Sequence, residues 1–256
     1  MAQEIRNPYF LDGRVAIVTG ASRGIGRSIA KAYCKAGAKL VIVALHDEKL
    51  DEAEEEMRAH GAVVSKICGD VAEPETSRRA VAAALALGGS VDVLVNCAGT
   101  ISRENLEETS DDSWHRILDV NLSGCFYQCR AVLPRMREQM RGKIINITSQ
   151  MAFMAHPSAS PSYEVSKAGL TALTRHIALH YAKFGICANA VAPGSIDTDL
   201  PKSMSTEARA KLKEAIPLLR LGNTHEVADL ALFLASDSSN YITGQTICIT
   251  GGSLMR

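Results

Sequence analysis

Short apolar, β-branched runs alternate along this chain with longer stretches of helical period. The runs are VAIVTG (15–20), KLVIVAL (39–45), VVSKICGDV (63–71), VDVLVNCAG (91–99), GKIINITS (142–149), ICANAVAPG (186–194) and QTICITGG (245–252). Their apolarity is continuous, which implies strands buried on both faces, as parallel strands flanked by helices are. Helix candidates run from Gly26 to Ala36, Glu48 to His60, Glu73 to Leu87, Ser110 to Met140, Tyr163 to Phe184 and His225 to Ala235. Gly37, Gly61 and Gly185 follow three of them and suit left-handed C-terminal caps. Right-handed crossovers then predict an α/β fold: one doubly wound domain over residues 1–256, with a seven-stranded parallel sheet and helices on both faces.

One stretch breaks the alternation. Residues 195–217 are polar, carry two prolines and hold a short amphipathic piece, TEARAKLKEAI. Ligands of open α/β sheets bind beyond the carboxyl ends of the strands, so an excursion after the sixth run is placed to cover a site.

Composition narrows the function classes. Lys+Arg and Asp+Glu both number 28 in 256 residues, so no basic field gathers nucleic acid or anionic lipid. The N-terminus has neither the apolar stretch of a signal peptide nor the look of a transit peptide, and no apolar run is of membrane-spanning length, so the chain reads as cytoplasmic. The seven cysteines are scattered without a C-x-x-C, which predicts buried reduced thiols and no metal. Cys125 and Cys129, at i and i+4, read as core packing.

The first run leads through Thr19-Gly20-Ala21-Ser22-Arg23-Gly24-Ile25-Gly26 into a helix. Glycines let a backbone turn tightly and approach a pyrophosphate, and the helix that follows offers its N–H groups and positive dipole end. A dinucleotide belongs there, on a sheet of Rossmann type.

Tyr163 and Lys167 lie at i, i+4 and share a helix face. A free phenol ionises too reluctantly for acid/base work near neutrality, and a cation one turn away favours the phenolate. Ser149 ends the fifth run, at the same sheet edge as the glycine turn, where its hydroxyl can stabilise charge on a carbonyl oxygen. Asn121 is a poor helix former inside a long helix, which points to a functional or strain-related role.

Together these residues resemble the classical short-chain dehydrogenase/reductase family over nearly the whole chain. T-G-x-x-x-G-x-G is complete at 19–26, N-x-A-G appears as Asn96-Cys97-Ala98-Gly99, and Asn121, Ser149, Tyr163 and Lys167 match the family's catalytic tetrad. The resemblance implies hydride transfer between a nicotinamide and a carbonyl carbon, with Tyr163 handling the proton. It also implies that Lys167 binds the nicotinamide ribose, Ser149 orients the carbonyl and Asn121 holds a relay water. By the same carry-over Gly20, Ser22, Arg23, Gly24, Ile25 and Gly26 hold the phosphates. Asp70 and Val71 flank the adenine, Asn96, Ala98 and Gly99 line the adenosine side, and Pro193, Gly194, Ile196 and Thr198 lie at the nicotinamide. A homotetramer built partly on the helices of Asn121 and Tyr163 is implied as well. The departures are Cys97 for a second Asn and Thr250 for an acidic residue.

After the second run, where an acidic residue selects NAD, stand Ala44-Leu45-His46. Arg23 in the turn can reach a 2'-phosphate, which favours NADP(H), with NAD(H) as the alternative. Ile101 to Leu106, Arg220-Leu221-Gly222 and Tyr241 to Gly244 resemble the family's 3-oxoacyl-acyl carrier protein reductases, which implies a small-molecule carbonyl substrate and an acyl carrier protein as partner. Two positions where those reductases carry basic docking residues are Met140 and Phe184, with Arg141 and Lys183 beside them. FLDGRVAIVTG also resembles sugar-acid and polyol dehydrogenases, and a non-enzymatic dinucleotide scaffold is the third alternative.

Overall fold

The computed structural model describes residues 9–157, 159–198 and 205–255. Strands β1 (Val15–Thr19), β2 (Lys39–Ala44), β3 (Val64–Cys68), β4 (Val93–Asn96), β5 (Gly142–Ile147), β6 (Ile186–Pro193) and β9 (Thr246–Ile249) form a seven-stranded sheet in the order β3-β2-β1-β4-β5-β6-β9. Every neighbouring pair is parallel. The seven predicted runs are its seven strands, trimmed at their ends.

Helices cover both faces. Ala16 and Val18 belong to one core with residues of α1 (Gly24–Lys35), α2 (Asp47–Ala59) and α8 (Thr224–Ala235). Val15 and Ile17 point the other way, into a core shared with α3 (Pro74–Gly88), α5 (Gly124–Gln139) and α6 (Pro161–Tyr181). Burying one such Val or Ile side chain is worth about 1.5–3 kcal/mol, which is why the continuous apolar runs hold the sheet at the centre. Tyr33 is wholly buried between α1 and α8, where its hydroxyl donates to the Ala231 carbonyl at 2.9 Å and burial pushes its phenol far up.

The caps follow the sequence. Gly37, Gly61 and Gly185 have φ of +88°, +82° and +69°. Ser110 caps α4 (Asp111–Leu118), Ser160 caps α6, and Asn223 with Glu226 closes a capping box on α8.

Two expectations are corrected and one element is added. The helix predicted from Ser110 to Met140 is α4 and α5 joined by a π-helical stretch, Asp119–Ser123, that contains Asn121. A small second sheet pairs β7 (Ile196–Asp197) with β8 (Gly222–Asn223), two-residue strands too short to show a pattern. Only Cys34, Cys125 and Cys129 are buried; Cys68, Cys97, Cys187 and Cys248 are half-buried. Within the 195–217 excursion the amphipathic piece is α7 (Thr206–Glu214), and residues 199–204 lie outside the described residues.

Candidate active site

The turn after β1 leaves no room for side chains. A Cβ on Gly20, which has φ +68°, would stand 2.8 Å from both the Cα and the N of Ala98, and one on Gly26 would meet the Gly20 carbonyl. Thr19 Oγ1 accepts from the N–H groups of Cys97 at 3.0 Å and Ala98 at 3.1 Å, tying the turn to the loop after β4. The Ala21 N–H donates to the Val43 carbonyl at 3.2 Å, tying it to the end of β2. Arg23 precedes α1 in extended conformation without a side-chain cap, and the first helical turn has no acidic residue. The N-terminal N–H groups and positive dipole end of α1 therefore face the turn, as an anion requires.

Arg23 is exposed and makes no ion pair among the described residues. At the end of β2, Leu45 and His46 are exposed, and the nearest carboxylate, Asp47, is paired with Lys66 at 3.1 Å.

The Ser160 hydroxyl accepts from the Tyr163 N–H at 3.3 Å and Pro161 pre-sets the first turn of α6, so Tyr163 starts the helix at the carboxyl edge of the sheet. Lys167, one turn on, is only 5% exposed. Its Nζ donates to the Ile147 carbonyl at 3.0 Å and lies 5.7 Å from the centre of the Tyr163 ring. Among the described residues that carbonyl is its only acceptor, and no carboxylate faces it. Burial pushes the neighbouring thiols up, Cys97 to about 12 and Cys125 to about 11, so they stay neutral beside Lys167.

Asn121 is fully buried. Its Oδ1 accepts from the Thr100 N–H at 2.8 Å, and its Nδ2 donates to the Thr100 carbonyl at 2.9 Å and to Ser166 Oγ at 3.1 Å. Ser166 Oγ in turn donates to the Tyr163 carbonyl at 2.7 Å. The carboxamide thus braces the loop after β4 against the helix of Tyr163, with both its hydrogens used. The Asn121 backbone carbonyl accepts from Cys125 Sγ at 3.3 Å. Ser149 lies two residues past β5, where its Oγ accepts from the Met151 N–H at 3.2 Å and donates to nothing among the described residues.

Thr100 and Ser166 were not singled out in the sequence. Ser166 could have been, since it lies three residues after Tyr163 on a neighbouring position of one helix face.

The remaining predicted positions divide. A Cβ on Gly99 would sit 3.5 Å from Lys167 Nζ and 3.3 Å from Asn121 Oδ1, and one on Gly24 would sit 3.7 Å from Thr198 Cγ2. Gly99 and Thr198 are thus drawn to the same edge as Tyr163 and the glycine turn, beside Pro193 and Gly194 at the end of β6. Ser22 and Ile25 lie in the turn and first turn of α1. Three side chains point elsewhere. Asn96 is buried and donates to Asn146 Oδ1 at 2.8 Å, Ile196 packs into the core, and Asp70 is ion-paired with Arg116 at 2.7 Å. Val71 is buried as well, like Asn96 and Ile196.

These residues fit a dinucleotide on two observations: a backbone cradle that a Cβ would fill at one end, and a buried ammonium without a protein anion at the other. Among the described residues no cluster of His, Cys, Asp and Glu could hold a metal ion, and no helix is long and apolar enough to cross a membrane.

Residues 20–253 match a protein-family model described as enoyl-(acyl carrier protein) reductase. The 3-oxoacyl-[acyl-carrier-protein] reductase FabG of Staphylococcus epidermidis is 39% identical over 241 residues, 94% of this chain and 98% of that protein. That of Salmonella typhimurium is 38% identical over 245 residues, 95% and 98% of the two chains. Among solved structures, a putative gluconate dehydrogenase from Agrobacterium tumefaciens superposes with a TM-score of 0.92 at 34% identity, covering 97% of this chain and 99% of that one. A 3-oxoacyl-[acyl-carrier protein] reductase with bound NAD from Brucella melitensis gives 0.90 at 32% identity, covering 100% and 97%. The chain belongs to the short-chain dehydrogenase/reductase family, whose members are oxidoreductases that use a nicotinamide dinucleotide.

Proposed function

We propose that this enzyme reduces a 3-oxoacyl thioester to the 3-hydroxy compound, with NADP(H) preferred and Tyr163 exchanging the proton with the substrate oxygen. The observation that carries the reading is the buried Lys167 ammonium, held beside the Tyr163 ring without a protein anion of its own. Its two remaining N–H donors suit the hydroxyls of a ribose, which would seat a nicotinamide beside the Tyr163 ring. The Ser149 hydroxyl donates its free hydrogen to the carbonyl oxygen, where negative charge grows as reduction proceeds. Tyr163 delivers its proton there and recovers it in the reverse direction. Asn121 holds the loop after β4 and α6 at fixed separation, and its backbone carbonyl, at the π-helical stretch, is the acceptor for a relay water. The bound dinucleotide supplies or accepts the hydride.

The turn from Gly20 to Gly26 binds the pyrophosphate, Ala98 and Gly99 line the adenosine side, and Asp70 with Val71 borders the adenine. Pro193, Gly194, Ile196 and Thr198 border the nicotinamide, and α7, in the excursion after β6, covers the substrate. The exposed Arg23 guanidinium, ion-paired with nothing among the described residues and standing on the turn tied to the end of β2, takes the 2'-phosphate in a bidentate grip. The expected assembly is a cytoplasmic homotetramer. An acyl carrier protein would dock near Phe184, where Arg137 and Lys183 stand 6.0 and 5.2 Å from the ring centre.

The likeness to a putative gluconate dehydrogenase favours a second reading, oxidation of a sugar acid or polyol. Fluorescence titration with NADPH and NADH, followed by turnover of a short 3-oxoacyl thioester and of sugar acids and polyols, separates the two. Thioester reduction with NADPH is the expected result; turnover of polyols alone with NADH would overturn it.

A further inference from the structure

At the opposite edge of the sheet, β5 and β6 start side by side with Lys143 directly across from Cys187. Register partners in a parallel pair point to the same face, here the face covered by α8 and the turn Asp237–Ser239. Lys143 is only 5% exposed, and its Nζ donates to Ser239 Oγ at 3.1 Å. The Cys187 Sγ donates to the Asn240 carbonyl at 3.6 Å, one residue on from Ser239, so both side chains reach the same turn. The charged groups facing the pair, Asp237 and Arg14, are bound to each other at 2.6 Å, so Lys143 has no carboxylate of its own. Burial holds its amine below the ordinary lysine range, which enlarges the neutral, nucleophilic fraction. Cys187 and Lys143 both line a solvent-connected cavity of about 720 Å³, with the Arg141–Asp92 pair also in its wall. A small oxidant can therefore reach the thiol.

We propose that Lys143 and Cys187 are a peroxide-driven crosslinking pair, joined after oxidation through a sulfur–nitrogen bond between the two strands. The Cys187 sulfur attacks hydrogen peroxide, the O–O bond breaks, and the products are a sulfenic acid and water. Lys143 Nζ then attacks that sulfur, the S–N bond forms as the S–O bond breaks, and the oxygen leaves as a second water carrying a proton from nitrogen. Thiol, amine and peroxide thus become sulfenamide and two waters, with the sulfur oxidised and the peroxide reduced. A thiol reductant reverses the bond. The link would stop Cys187 short of irreversible sulfinic acid.

Peptide mass mapping of the full-length protein after hydrogen peroxide tests this without any substitution. The expected product joins the Lys143 and Cys187 peptides, is lighter than their sum by the two hydrogens lost, and separates in excess thiol reductant. Cys187→Ser is expected to remove it. Lys143→Arg, which keeps the charge, is expected to divert Cys187 to sulfinic acid. Sulfinic acid on Cys187 in the unsubstituted protein with no crosslink would overturn the proposal. So would an unmodified Cys187 while Cys68 and Cys248 oxidise, or a link that retains an oxygen.

Discussion

Two lysines are equally buried in this protein, at opposite ends of the same strand. Lys143 opens β5, and Lys167 reaches over from α6 to the carbonyl of Ile147, the last residue of β5. Each is 5% exposed and neither has a carboxylate partner among the described residues. Their surroundings differ. Lys143 meets a hydroxyl, with its strand neighbour Cys187 on the wall of the same solvent-connected cavity, whereas Lys167 faces a phenol, a glycine backbone and the edge where ligands bind an α/β sheet. A buried charge without an anion costs stability wherever it sits. In the proposed reaction that cost has a use at Lys167; at Lys143 its strand neighbour Cys187 offers one only under oxidation.

The sharpest way to break the distinction is at the phenol and its cation. Tyr163→Phe should lower turnover at least about 100-fold, the usual loss for a general acid, while nicotinamide binding by fluorescence survives. Lys167→Met should lose turnover comparably and weaken dinucleotide binding as well; near-normal rates in it would erase the contrast with Lys143. Arg23→Ala extends the logic to an exposed surface cation. Losing a charge-assisted contact worth about 1.5–3 kcal/mol should cut the preference for NADPH over NADH roughly 10- to 100-fold, read as the ratio of two dissociation constants.

Lys143→Met probes the other side through pH. The folded-state value lies below the unfolded one of about 10.4, so between them the unfolded chain binds more protons and wild-type stability rises with pH. Urea unfolding should show the wild type gaining on the variant as pH climbs through that window, by about 1.4 kcal/mol for each unit of depression. A difference independent of pH would mean the amine is not destabilised by burial. The smallest effect belongs to an exposed pair. Arg220 and the Asn223 N–H hold Glu226 down to about 2, so its contribution is present above about 4.3 and lost as pH falls through about 2. Glu226→Gln should cost less than about 1 kcal/mol at neutral pH and nothing in strong acid, by thermal unfolding.

Much of the fold could be read in advance because its signals are local. Seven apolar runs, three capping glycines and the turn from Gly20 to Gly26 each announce themselves within a few residues. What stayed hidden depends on distant partners. Lys143 sits inside the apolar run GKIINITS, and nothing in that run tells a buried lysine from an edge one until Ser239 comes into view. Asn96 belongs to a family motif, yet strand alternation turns its side chain into the sheet toward Asn146. Asp70 meets Arg116 across 46 positions of sequence. The tetrad drew attention through residue chemistry, but the brace from Asn121 through Ser166 to the Tyr163 carbonyl needed coordinates.

The π-helical stretch also sets a phase. Each residue of a regular helix turns the chain by about 100°, so a turn holding one residue more than its neighbours rotates everything downstream by that amount. Cys129, Val132 and Met136 of α5 face the core because Asp119–Ser123 winds wide. Deleting one residue there would give a smoother helix and turn that apolar stripe toward water. A sequence comparison that places a gap in this turn would therefore misassign the whole of α5, even with every helical residue matched by type.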